Sequence, residues 1–277
     1  MTAAAERATV LAVKKPVFLK LGGSLITDKS RPYTPRPEKL ADLATQIATA
    51  RRDTPDLRLI LGHGSGSFGH AAASKYRTRR GVSGAEAWRG FAEVWFQASV
   101  LNRLVMEALR HTGMPAIAFP PSAGITAHDG QIRTWDIQPI QAALEAGLLP
   151  VIYGDVVFDE VRGGTILSTE DLFAFLARAL HPKRILLAGL EAGVWADFPA
   201  RTRLVGEITP ENIAAAAPGL GGSAGADVTG GMTSKVQQML ALVSEIPDLE
   251  VLIFSGEEPQ AVQRTLLGGY AGTVLRR

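Results

Sequence analysis

The sequence predicts an α/β protein: an open, mainly parallel sheet sandwiched by helices in a three-layer α-β-α arrangement. Two observations carry this expectation. Short apolar runs at 17–21, 59–61, 149–153, 184–188 and 251–254 alternate with stretches of helical spacing, the order that parallel strands and crossover helices require. Each of those runs also ends at a glycine or a serine-glycine pair, as a strand does where the chain turns into the next element.

Taken in order, Val17 to Leu21 reads as a buried strand interrupted only by Lys20, followed by a tight turn at Gly22-Gly23-Ser24. A loop through Asp28-Lys29 and Arg31 to Pro37 precedes a helix over 38–51, whose Leu40, Leu43 and Ile47 share a face. Arg58 to Leu61 is the next strand. It feeds Gly62-His63-Gly64-Ser65-Gly66-Ser67-Phe68-Gly69-His70, a glycine loop expected to end where a helix opens at Ala71. A long helical pattern over 85–109, carrying Trp88, Phe91 and Trp95, is expected to break near Ala98-Ser99, with the three aromatics facing the core. A strand over 116–119, a helix over 137–145 and a strand over 149–153 follow. Segments 156–159 and 163–167 read as a hairpin, and Thr169-Glu170-Asp171 is an acidic start for a helix to Leu180. The last third predicts a strand over 184–188, a helix over 210–217 and a glycine-rich loop over 218–231. It continues with a helix over 232–244, a strand over 251–254 and an edge strand over 272–275.

Length and composition bound the function. A chain of 277 residues suits one large α/β domain or two lobes sharing a sheet. Lys and Arg number 29 against 27 Asp and Glu, so no basic face toward nucleic acid is expected. The absence of cysteine removes thiol catalysis and thiolate metal sites and fits a reducing compartment. No run is long and apolar enough to cross a membrane, and no cleavable leader pattern opens the chain, so a cytoplasmic protein is expected.

The chemistry lies in the glycine turns. The segment Gly64 to Gly69 formally matches a dinucleotide fingerprint, but the acidic residues about 20 positions on, Glu86 and Glu93, sit in a helical pattern rather than at a strand end. No P-loop run exists. Asp227 to Lys235 instead puts Lys235 one turn after glycines, where a helix N-terminus favours phosphate. His63, at a strand end, reads as a packed histidine rather than a ligand, and His111, His128 and His181 show no metal spacing; no protein metal site is expected.

Lys20-Leu21-Gly22-Gly23-Ser24 with Asp28-Lys29, Gly66 to His70, Pro150 to Asp155, Ser168 to Asp171 and Asp227 to Lys235 together resemble the amino acid kinase superfamily, and within it the isopentenyl phosphate kinases. The resemblance implies an N-terminal lobe, 1–170, that binds the phosphate acceptor, and a C-terminal lobe, 171–277, that binds ATP. It implies that Lys20 and Lys235 stabilise the transferring γ-phosphoryl group while Asp171 holds both lysines. Lys29 and His70 would contact the acceptor's phosphate, with Gly22, Gly23, Gly64, Gly66, Gly69, Gly154 and Asp155 around it. Gly193, Gly230 and Gly231 would face ATP, which brings Mg²⁺ with it. A cytoplasmic homodimer is implied, with isopentenyl phosphate and ATP as small-molecule partners. Where relatives carry Ala-Thr-Asp-Val-Asp-Gly-Val, this chain has Ala188-Gly189-Leu190-Glu191-Ala192-Gly193-Val194, a departure on the nucleotide side. Phosphoryl transfer asks little covalent chemistry of the protein, so lysines, a histidine and N–H donors suit two polyanions that must meet. A kinase of another small phosphonate or phosphate such as fosfomycin, and a non-catalytic anion-binding relative, are the alternative readings.

Overall fold

The protein is described by a computed structural model covering residues 14–216 and 231–277. Chain order begins β1 (Val17–Leu21), α1 (Gly23–Ile26), α2 (Pro37–Asp53), β2 (Leu59–His63) and α3 (Gly66–Tyr76), then a 3-10 turn, Thr78–Arg80, and α4 (Gly84–His111). Next come β3 (Ala116–Ala118), α5 (Pro121–Gly124), β4 (Ile125–His128), β5 (Gln131–Trp135), α6 (Gln138–Glu145), β6 (Leu149–Tyr153), β7 (Asp155–Asp159), β8 (Gly163–Leu167) and α7 (Thr169–Leu180). The remainder is β9 (Arg184–Gly189), β10 (Val194–Trp195), β11 (Leu204–Val205), β12 (Glu207–Ile208), α8 (Ile213–Ala216), α9 (Gly231–Glu245), β13 (Glu250–Ser255), α10 (Ala261–Leu266) and β14 (Thr273–Leu275).

Eight strands form the central sheet in the order β12-β14-β13-β9-β1-β2-β6-β3. All neighbours run parallel except β13 and β14, which pair antiparallel. The four strands on one side of the β1–β9 seam follow α7 in the chain and the four on the other precede it. The expected lobe boundary between 170 and 171 falls within the first turn of α7.

Alternation along β1 sorts the two core layers. Phe18 joins a cluster with Phe173 and Leu172 of α7 and Val236 and Met239 of α9, while Leu19 and Leu21 join Leu40, Leu43 and Ile47 of α2. Side chains of this size contribute about 1.5–3 kcal/mol each when fully buried, and burial on both faces explains why the central strands are apolar runs without polar alternation.

Several elements depart from expectation. α4 continues through Ala98 and Ser99 without a break: Gly90, Val94, Ala98, Leu101, Val105 and Leu109 form one buried stripe, and the Ser99 hydroxyl donates to the Phe96 carbonyl inside the helix. Of the aromatic stripe only Phe91 is buried; Trp88 and Trp95 are 38% and 44% exposed, and Trp88 lies against Phe91 and Phe158. β4 and β5 were not expected, and with the predicted hairpin they make a second sheet in the order β5-β4-β7-β8. β14 is not an edge strand, because the two-residue β12 pairs outside it. None of the helices in the described residues is long and apolar enough to cross a membrane.

Candidate active site

The chain turns around β1, with β2 on one side and β9 on the other, so the loops at their carboxyl ends splay apart and leave a crevice, the usual ligand position in an open α/β sheet. A cleft of about 740 Å³ lies there, lined among others by Lys20, Lys29, His70, Glu170, Asp171 and Lys235.

The turns after β1 and β2 are packed backbone against backbone. A Cβ at Gly23 would lie 2.4 Å from the Gly66 nitrogen, and Gly66 has φ of +50° with Thr27 Oγ1 2.2 Å from where its own Cβ would be. No other residue type fits either position. Gly23 and Gly66 each open a helix, where the first N–H groups have no intrahelical acceptor.

Here the glycine assignments need correction. α3 begins at Gly66, not after His70, so Gly69 is inside the helix and its N–H donates to the Ser65 carbonyl at 3.1 Å. The N–H groups of Gly22, Gly64 and Gly154 are also spent, on the carbonyls of Ala188, Leu21 and His63 at 2.8, 3.0 and 3.3 Å. These three still line the cleft, but as bare backbone that lets a ligand come close; Gly69 does not line it. His70, one turn into α3, does face it.

On the opposite wall, Lys20 shares the face of β1 that carries Phe18 and so looks toward the start of α7. Its ammonium donates to Glu170 Oε1, and both residues are buried. Burial alone would raise the Glu170 carboxyl; the charges of Lys20 and Lys235 and the hydrogen bond from Lys20 outweigh it and hold the group below the usual glutamate range. Lys235, near the start of α9, adds its charge to the same carboxylate.

The carboxylate that Lys20 contacts is Glu170, where the resemblance implied Asp171. Asp171 is occupied by its helix: its Oδ2 accepts from the Ser168 N–H and hydroxyl at 2.8 and 2.7 Å, completing a capping box, while its Oδ1 accepts from Gln238 Nε2 at 2.9 Å. The signal was present in the sequence. Ser168-x-x-Asp171 is a capping pattern, which commits the fourth residue to the backbone and leaves the third to point at the neighbouring strand. Arg79 is a cleft residue that the sequence reading missed, its guanidinium 3.7 Å from Asp171 Oδ2; it lies on the 3-10 turn, for which no periodicity exists.

Asp155 does not reach the cleft. It is 1% exposed at the start of β7, its Oδ1 accepting from the Val156 N–H at 2.7 Å and the Ser122 side chain acting on the same carboxyl. Burial pushes its carboxyl from 3.8 up to about 7. Because the folded value is raised, the native state keeps a proton that the unfolded chain loses, so this group costs stability increasingly as pH rises from about 4 to about 7. The full difference is about 4 kcal/mol at neutral pH. Asp155→Asn should accordingly flatten the fall in Tm between pH 4 and pH 8; an unchanged profile would mean that Asp155 is ionised in the fold.

On the nucleotide side, Gly189, Leu190, Glu191, Gly193, Gly231 and Trp195 line the cleft. Gly193 is required where it stands, since a Cβ there would lie 2.6 Å from Thr273 Oγ1. Glu191, which stands in the departing segment, accepts from Trp195 Nε1 at 2.8 Å and pairs with Arg201 at 3.0 Å. Gly230 lies outside the described residues. The apolar part of the wall includes Ile132, Ile166, Leu167, Phe175 and Ile253 but not Trp88, Phe91 or Trp95. Among the described residues no three histidine or acidic side chains come together as metal ligands.

A mainly parallel sheet with Lys20 paired to Glu170 and the charge of Lys235 acting on the same carboxylate at its carboxyl edge fits a small-molecule kinase, and comparison agrees. Residues 15–255 match the model of the amino acid kinase family. The isopentenyl phosphate kinase of Methanothermobacter thermautotrophicus is 35% identical over 91% of this chain and 95% of its own, and that of Haloferax volcanii 35% identical over 94% and 98%. A solved isopentenyl phosphate kinase superposes with a TM-score of 0.79 at 31% identity, covering 94% of this chain and 99% of that one. The Thermoplasma acidophilum isopentenyl phosphate kinase in its product complex gives a TM-score of 0.75 at 26% identity, covering 94% and 100%. The chain belongs to the amino acid kinase family, in its isopentenyl phosphate kinase branch.

Proposed function

We propose that this chain transfers the γ-phosphoryl group of ATP to isopentenyl phosphate, giving isopentenyl diphosphate and ADP. An oxygen of the acceptor phosphate forms the new bond to the γ-phosphorus as the bond from that phosphorus to the β–γ bridging oxygen breaks. The observation that carries this reading is the placement of Lys20 and Lys235 about Glu170, with Lys29 and His70 lining the same cleft.

The two lysines neutralise the equatorial oxygens of the transferring group, where charge is spread in a loose transition state. Glu170 keeps both ammonium groups aimed at one point. Lys29 and His70 offset the acceptor's own negative charge, the extra requirement when the acceptor is already a phosphate; a bound anion favours the protonated imidazole. In this reading the half-sheet β1-β2-β6-β3 serves the acceptor, and β9 with α9 serves ATP through Gly193, Gly231 and Lys235. Mg²⁺ belongs with the nucleotide phosphates, which are its customary ligands together with water. The protein's own contribution is cationic, and the resemblance extends the proposal to a cytoplasmic homodimer.

A coupled ADP-release assay with isopentenyl phosphate and fosfomycin side by side tests the acceptor. Turnover should be strong with the first; strong turnover with only the second would overturn the choice. Replacing His70 by Ala, Asn or Gln should raise KM for isopentenyl phosphate about tenfold or more, the size expected for a lost hydrogen bond to a charged group. Unchanged acceptor kinetics in all three variants would remove His70 from the site.

A further inference from the structure

His63 lies immediately before the acceptor loop and does not touch the cleft. Its ring is fully buried, stacked on Tyr153 with centroids 5.3 Å apart and planes 9° apart. Nδ1 lies 3.2 Å from the carbonyl oxygen of Gly64, the next residue, and Nε2 lies 3.2 Å from the position assigned to Oδ1 in the Asn102 side-chain amide of α4. The His63 main chain is equally fixed, its carbonyl accepting from Thr169 Oγ1 at 2.6 Å and from the Gly154 N–H at 3.3 Å.

A carbonyl oxygen can only accept, so the proton of the ring belongs on Nδ1. Burial keeps the ring neutral, outweighing the hydrogen bond to the Gly64 carbonyl, and the charge of Lys20 acts in the same direction as burial. Nε2 is then an acceptor, which Asn102 satisfies when its amide is turned to present the NH₂ group. The consequence lies one peptide further on. In a trans peptide the C=O of one residue and the N–H of the next point in opposite directions, so a Gly64 carbonyl held down toward the buried ring turns the Ser65 N–H away from it. Gly64, Ser65 and Gly66 form cleft wall on that outer side. Glycine tolerates both orientations of this peptide, and the flipped one would aim a carbonyl at an anion. Gly64 N–H is already committed to Leu21, which leaves the Gly64–Ser65 peptide as the unit that the His63 ring controls.

We infer that His63 is a positioning residue for acceptor binding: held by Asn102, it locks the Gly64–Ser65 peptide with the Ser65 N–H presented to the phosphate of the acceptor. This inference rests on the reading of the cleft as a phosphate-acceptor site.

The side-chain amide of asparagine can place its donor near the position of Nδ1, whereas that of glutamine places it near Nε2. His63→Asn should therefore keep KM for isopentenyl phosphate within about threefold of wild type, while His63→Gln raises it about tenfold or more with KM for ATP unchanged. Asn102→Leu, which frees the ring without touching the loop, should shift the acceptor KM in the same direction as His63→Gln. Thermal melts accompany all three, because a merely structural role predicts that acceptor KM does not distinguish His63→Asn from His63→Gln. Equal acceptor KM in those two variants overturns the inference. If the wild type does not turn over isopentenyl phosphate, the functional reading fails separately. The His63 inference is then decided by the Ser65 amide resonance on adding inorganic phosphate, which must shift in wild type and His63→Asn and stay in place in His63→Gln.

Discussion

Lys235→Ala is expected to lower kcat about 10²- to 10³-fold while leaving KM for the acceptor within a few-fold, the size seen when one preorganised donor to transition-state charge is removed. The asymmetry follows from position. Lys235 lies near the start of α9 and its charge acts on Glu170, whereas His70 is carried by α3. Its charge matters most where negative charge is redistributed during transfer and least where a bound acceptor rests. Steady-state kinetics with each substrate varied in turn read the two parameters apart. A Lys235→Ala variant with normal kcat would remove the lysine from the transfer step. The non-catalytic reading is met by the same measurement, since a binding module loses nothing when that lysine is removed.

The second large effect separates two adjacent carboxylates. Glu170→Gln should lower kcat by about two orders of magnitude and cost about 3–5 kcal/mol of stability, because it strands the buried Lys20 ammonium without its counter-charge. Asp171→Asn should lower kcat no more than a few-fold and cost about 1 kcal/mol, since its carboxylate serves the capping box and Gln238. Urea unfolding alongside kinetics gives both quantities. The reverse ranking would return the organising role to Asp171. Acid should repeat the Glu170 result without mutation. A carboxyl held below its ordinary value contributes stability above pH about 4.5 and loses it as pH falls through the folded value, opposite in sign to the buried Asp155.

Much of this molecule is written in local patterns. Apolar runs closed by glycine located five central strands, because strands buried on both faces have no polar alternation to obscure them. Lys20 stood out as a charge inside such a run, and it lines the cleft. Helices with a single apolar face, α2 and α7, were legible within a few residues. What escaped was set by pairing at a distance. β4 and β5 are short, half-exposed strands that exist by joining β7, and no local periodicity marks them. The expected break in α4 did not occur, because tertiary packing of its continuous buried stripe overrode the weak propensity of Ser99.

The candidate site divides in the same way. The motifs and the resemblance they carry pointed to Lys20, Lys29, His70 and Lys235 as residues for anion chemistry and to Gly22, Gly23, Gly64 and Gly66 as backbone around a phosphate. Only the tertiary structure decided which carboxylate faces the lysines, which glycine N–H groups are already spent, and that Asp155 is shut away from the cleft. The physical reason is one of range. Conformational freedom and charge belong to a residue, but the partner that uses a hydrogen bond or balances a charge is chosen by chain segments far apart in sequence, 150 positions in the case of Lys20 and Glu170.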